Sequence, residues 1–214
     1  TNLVGTDNSR SVVRASSVGS PAVLDGVVVT GGYDETPASS IGAGLDAYLS
    51  SPTLNQVTFR GNRVTSAGGA IYFWEGSPTL TNCAVIGNAA QAGGGIYLRQ
   101  NPTVTFSHVL FQDNDTVDAG SAVPHGGALG GSASVVTLTD VQFVGNTAGT
   151  GGGVSFSGAT AATFTRVLFE GNVSTISSSG GGGLGAESCP VMTDVTFRNN
   201  TSAGHGGGMY CQTG

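Results

Sequence analysis

One phrase recurs down this chain, and a chain of recurring phrases folds as a stack of like units, not as a globule around a single private core. Val57 to Phe73 reads VTFRGNRVTSAGGAIYF: an aromatic, an asparagine three residues on, a polar stretch, then Gly-Gly-Ala and an apolar run. The phrase returns at Cys83 (CAVIGNAAQAGGGIYL), Val141 (VQFVGNTAGTGGGVSF) and Val195 (VTFRNNTSAGHGGGMYC), with VLFQDN at Val109 and VLFEGN at Val167. The asparagines stand at 62, 88, 114, 146, 172 and 200, at intervals of 26, 26, 32, 26 and 28 residues; Gly32 takes the same place 30 residues before the first.

Four apolar columns accompany the asparagines: Val29 to Phe197 through Phe59 and Phe143, Val27 to Val195 through Val57, Leu24 to Met192 through Leu54, and Leu45 to Met209 through Ile71. Side chains alternate across a strand, so Val57 points inward with Phe59, and Ile71 with Phe73. Leu54 has the wrong parity to share a strand with Val57, which places a bend near Asn55-Gln56. Each coil therefore holds three short strands. Like coils stack like residues about 4.8 Å apart, and only the stack encloses a continuous core. A Gly-Gly-Gly in every turn would cost a helix roughly 1 kcal/mol per glycine. The expectation is an all-β, single-stranded right-handed parallel β-helix of about 26 residues per coil and seven to eight coils. It forms one domain over 1–214, with 1–20 a less regular first coil, 21–214 regular, and both ends uncapped.

Glycine and asparagine then have mechanical roles. Gly68-Gly69 and Gly94-Gly95 precede inward residues, where positive φ and close approach between coils are needed. Asn62, Asn88, Asn114, Asn146, Asn172 and Asn200 mark the other corner, tolerating left-handed geometry and bonding to one another as a ladder. Three of them begin Asn-x-Ser/Thr sequons, at 114, 172 and 200, and read as buried ladder residues closed to glycosylation.

Gly-Gly-Ala-Ile at 68–71, with Phe-x-x-Asn at 59–62, resembles the repeat of the chlamydial polymorphic outer-membrane proteins. Leu24-Asp25-Gly26-Val27 through Gly32, and Ser77-Pro78-Thr79-Leu80-Thr81-Asn82-Cys83, look similar to phrases of other bacterial right-handed β-helix surface proteins. The resemblance covers roughly residues 20–214 and implies a surface-displayed passenger or adhesin without catalysis. Its residues are corners and core, so it speaks to fold more than to a ligand.

Composition narrows the partners. Thirteen acids against seven arginines and no lysine give a net charge of −6, with no basic cluster for a phosphate backbone. No apolar run approaches the length of a membrane span. The Thr, Ser, Asn and Gly content suits a secreted or cell-surface protein of bacterial origin. Of three cysteines, Cys83 falls in a core column, roughly 19 Å from the coil of Cys189 at one strand spacing per coil. Cys189 lies three residues past the residue on which Cys211 stacks, beyond the ~7 Å Cα limit unless the bend folds back, so free thiols are expected.

The large length variation falls between the Asn and the Gly-Gly, so longer segments project from one edge, where repeat proteins place binding. Tyr33, Asp34, Glu35, Asp115, Asp118 and His125 are the candidate binding residues there, for a host-surface or glycan ligand. Asp113, Asp115 and Asp118 could hold Ca²⁺; no other cofactor is indicated. Gly204-His205-Gly206 invites comparison with polysaccharide hydrolases, and Asp140, Arg166 and Asp194 with lyases. Both lack the opposed carboxylates or the cation set such chemistry uses, and with His108 these residues read as an exposed ladder. Beside the Leu column lie Thr79/Thr81, Thr105/Ser107, Thr137/Thr139 and Thr163/Thr165, an array resembling ice-binding solenoids. The leading expectation is a non-catalytic extracellular module, adhesin, passenger or fibre scaffold, whose ends meet other copies or flanking repeats. A carbohydrate-active β-helix is second and an ice- or crystalline-polymer-binding face third.

Overall fold

The structure, a computed structural model, describes residues 10–19, 22–35, 41–100, 102–116, 126–132, 134–158, 160–177 and 180–212. It is an all-β parallel solenoid of about seven turns, with no helix among the described residues. Its strands form sheets of eight, twelve and seven strands, and each strand pairs in parallel with its counterparts one coil away. The inward columns run in register as their spacing predicts. Val29, Phe59, Val85, Phe111, Phe143, Phe169 and Phe197 pair successively. So do Leu45, Ile71, Ile96, Leu129, Val154, Leu184 and Met209. Phe111, Phe143, Phe169 and Phe197 stack at centroid separations of 4.8, 4.9 and 4.8 Å, the strand spacing transmitted to the rings. Burying each of the first three fully removes apolar surface worth about 1.5–3 kcal/mol.

The bend after the Leu column is present, but it does not divide two sheets. Gln56, Asn82, His108, Asp140, Arg166 and Asp194 each take φ between 52 and 56° there, turning one twelve-stranded sheet through an angle. Strands Val135–Val144 and Ala161–Glu170 pass through the bend unbroken. The third sheet comes from the two residues after each asparagine, such as Arg63–Val64 and Ala89–Ala90. Its inward column mixes Asp34, Val64, Ala90, Thr116, Ala148 and Ser174, so no apolar signature marks it.

The asparagine corner differs in one respect. The left-handed residue is the one before the ladder asparagine: Gly61, Gly87, Asp113, Gly145, Gly171 and Asn199. The asparagine itself turns its side chain into the solenoid. Asn146 Oδ1 accepts from the N–H and the Nδ2 of Asn114, both at 3.0 Å. Its own Nδ2 donates to Phe111 O at 3.1 Å and Asn172 Oδ1 at 2.9 Å. The pattern repeats from Asn62 to Asn200, so a run of buried amides is satisfied by its own stacking. Asn114 and Asn172 are fully buried and Asn200 is half-buried. At the glycine corner the roles divide. Gly68 carries the positive φ of 69°, while a Cβ on Gly69 would lie 2.2 Å from Gly94 O. A Cβ on Gly94 would meet Asp115 O at 2.2 Å, and one on Gly95 would meet Ala128 O at 2.5 Å.

The cysteines correct the sequence reading. Cys83 is free and buried, but Cys189 and Cys211 form a disulfide with their Cα atoms 5.6 Å apart. Ala186 pairs with Cys211 as the spacing requires, and the chain then folds back over three residues to return Cys189 to the strand end.

Candidate functional site

The edge residues do not behave as one loop. Tyr33 and Asp34 form a two-residue strand paired with Arg63 and Val64, not part of a projecting segment. Parity exposes Tyr33, and its hydroxyl bonds to Glu35. It turns Asp34 into the inward column, 6% exposed, with Arg10 Nε 3.9 Å away. Asp113 occupies the left-handed corner, its carboxylate accepting from Gln112 Nε2 at 3.1 Å, while Asp115 pairs along the short sheet with Ala89 and Thr147. Asp118 and His125 lie outside the described residues. Among those described, no group of three His, Cys, Asp or Glu side chains gathers to hold a metal. His205 stacks on Tyr210 at 5.3 Å.

The polar bend forms the ladder its spacing suggests. Arg166 donates to Asp140 through Nε at 2.6 Å and through a terminal nitrogen at 2.8 Å. That fork holds the Asp140 carboxyl below the usual carboxylate range, with His108 Nε2 3.6 Å away adding to it. Ser107 Oγ lies 2.9 Å from His108 Nδ1. Serine, histidine and aspartate thus stand in line, but the aspartate is neutralised by the guanidinium.

The threonine face is longer than its paired positions indicate. One column runs Thr53, Thr79, Thr105, Thr137, Thr163; its neighbour runs Thr81, Ser107, Thr139, Thr165, Thr193. Val23 and Val191 bound the first column, and Asn55 the second.

A concentration of aromatic and charged side chains outside the core columns lies on the outer side of the eight-stranded sheet. That sheet follows directly on the variable segments. Of nine phenylalanines, eight are buried and Phe197 packs partly buried against the core. Trp74 and three of the five tyrosines instead cluster outside, over three successive coils. Tyr48, Trp74 and Arg99 form one row, and Asp46, Tyr72 and Tyr97 the row beside it. Tyr48 lies 5.9 Å from Trp74, Tyr72 6.1 Å from Tyr97, and the Arg99 guanidinium 5.2 Å over the Trp74 ring. Tyr48 is 42% exposed, whereas Tyr72 is buried and forms the base of the cluster. Asp46 is buried beside Tyr72, with Arg14 Nε 3.4 Å from one carboxylate oxygen, while the other oxygen meets no donor among the described residues. Burial pushes the Asp46 carboxyl up, with Arg14 pulling the other way, and it pushes the Tyr72 hydroxyl up against the pull of Arg99. The signal in the sequence is parity. The rule that turns Ile71 and Phe73 in turns Tyr72 and Trp74 out, and aromatics repeated at outward positions carry no packing explanation.

These features are set on a scaffold that comparison identifies. The family described as right handed beta helix region matches residues 6–166. The chain belongs to that family. A second match, to the Chlamydia polymorphic membrane protein repeat, covers residues 194–212, the coil that carries Asn200, Gly206-Gly207-Gly208 and Cys211. This part of the β-helix is thus similar to a repeat of bacterial membrane proteins, the same repeat that residues 59–71 resemble. Neither the curated proteins nor the solved structures contain a match.

Proposed function

We propose that this β-helix is a non-catalytic extracellular module of a bacterial surface or secreted protein, a passenger segment that adheres through the outer side of its eight-stranded sheet. The observation that carries the reading is the double row of Tyr48, Trp74, Arg99 and Asp46, Tyr72, Tyr97. Aromatic faces flanked by a guanidinium and a carboxylate suit a host-surface glycan, whose C–H faces stack while its hydroxyls bond at the rim. Similarity to the membrane-protein repeat favours surface display. The Cys189–Cys211 bridge suits an oxidising compartment. The rigid lattice of inter-coil bonds suits a spacer that carries such a face away from its anchor, alone or continued by further coils. The test is binding of the fluorescent protein to epithelial cells and to a printed glycan array. Binding lost in Trp74→Ala with the melting temperature retained supports the reading, and Trp74→Ala binding as well as the parent refutes it.

Asp46 favours a second reading, a carbohydrate-active β-helix, because a carboxyl raised by burial is what a general acid requires. Asp140, held low by Arg166, cannot fill that role near neutral pH. Release of reducing or unsaturated sugar from a polysaccharide panel, abolished in Asp46→Asn, would put the enzyme first.

A further inference from the structure

A groove lies elsewhere, in the outer angle of the twelve-stranded sheet, and shares no residue with the aromatic rows. It has a volume of about 600 Å³ and follows the bend from Asn82 to Asp194. Those five coils span about 19 Å along the axis at one strand spacing per coil. We propose that this groove binds an extended, uncharged polysaccharide strand lying along the solenoid axis.

Charge is the first reason. The groove holds one arginine against two aspartates. The arginine is committed to Asp140 by two bonds and neighbours Asp194 in the next coil. An acidic polymer would find no available cation here, on a protein of net charge −6. The second reason is the opposite wall, where Ala84, Leu110, Gln142, Leu168 and Thr196 pair in register and face outward. Leu110 and Leu168 are half-buried there, two coils or about 10 Å apart. They form apolar ledges for the C–H faces of a sugar chain, while Asn82, Gln142 and the carboxylates offer donors and acceptors between them. The third reason excludes a peptide. Strand addition needs unpaired backbone edges, and the backbone here is consumed between coils: His108 N bonds to Thr139 O, Leu110 N to Cys83 O and Gln142 N to Val109 O. What remains accessible is side chain alone, repeating once per coil, which suits a ligand that itself repeats.

The experiment is native affinity electrophoresis of the whole chain through gels containing galactomannan, xyloglucan, mixed-linkage β-glucan or polygalacturonate. At least one neutral polymer should retard the parent, and polygalacturonate should not. Leu168→Asp, and separately Gln142→Ala as a milder change at an exposed position, should weaken that retardation by roughly tenfold, the loss of one good contact. Trp74→Ala should leave it unchanged, which separates this groove from the aromatic face. Mobility unaffected by all three neutral polymers, retardation by polygalacturonate alone, or loss in Trp74→Ala equal to that in Gln142→Ala overturns the assignment.

Discussion

Replacing Asn146 by aspartate changes one NH₂ into one oxygen at the centre of the ladder and leaves the shape of the side chain intact. The native Nδ2 faces two acceptors, Phe111 O and Asn172 Oδ1. An ionised carboxylate there presents oxygen to both, in a position with no solvent exposure. A protonated carboxyl can still donate to one of them. The acid form is therefore favoured, and the pKa of the introduced group rises by about 3–5 units, as for other fully buried carboxyls. At about 1.36 kcal/mol per unit, and with only about 3 units between the ordinary aspartate pKa and neutral pH to count, the variant loses about 4 kcal/mol at pH 7. A further 1–2 kcal/mol is lost at any pH for the bond that a single O–H cannot replace. The sign follows from linkage. The folded state binds the proton more tightly than the unfolded chain, so stability is retained below the ordinary carboxylate pKa and falls as pH rises toward the raised value. Urea unfolding of parent and variant at pH 3.5 and 7.5 reads this directly, with Asn200→Asp, at the half-buried end of the ladder, showing a smaller pH effect. A difference between parent and Asn146→Asp that is the same at both pH values would refute the closed, dry ladder.

The remaining predictions probe the staple, the corner, the buried acid and the threonine face. The Cys189–Cys211 bridge closes a span of 22 residues, so reduction or Cys189→Ser should release the last coil at a cost of about 3 kcal/mol, seen as proteolysis confined to residues beyond 190. Gly69→Ala should destabilise by about 1–3 kcal/mol through overpacking against the next coil. Gly87→Ala, whose Cβ meets open space, should lose only the left-handed backbone penalty of roughly 1–2 kcal/mol, both read by chemical denaturation. Because burial raises the Asp46 pKa, the native protein loses stability as pH rises past the carboxylate range, so Asp46→Asn should raise Tm at pH 7 and not near pH 3. Tyrosine at Thr105 and Thr139 should move stability by less than about 0.5 kcal/mol at these outward positions. In an ice-recrystallisation assay, unaltered crystal growth with the parent protein removes the ice-binding reading of that face.

The scaffold was more legible than the sites, for reasons visible in particular residues. Phe59, Val85, Phe111 and Phe143 recur because each must cover its neighbour in the stack, so the repeat interval reports the coil directly. Asn62 to Asn200 recur because each amide needs the next. No such reciprocity binds a surface site. Tyr48, Trp74 and Arg99 differ in kind from coil to coil, and only the outward parity they share links them. Asp34 illustrates the converse: its neighbours Glu35 and Thr36 suggest a polar loop, yet pairing with Val64 draws it inward.

The sequence by itself determined the parallel stack, its inward columns, the bend before Val57 and the two kinds of corner. Each of these depends on short-range parity or on a residue type repeated once per coil. Tertiary structure alone decided that one sheet turns through the bend, that two residues after each asparagine make a third sheet, and that Cys189 returns to meet Cys211. It also decided that the polar bend and the Leu110–Leu168 ledge enclose a groove. These depend on the angle at which the chain leaves each corner. Backbone packing between coils sets that angle, and no single residue encodes it.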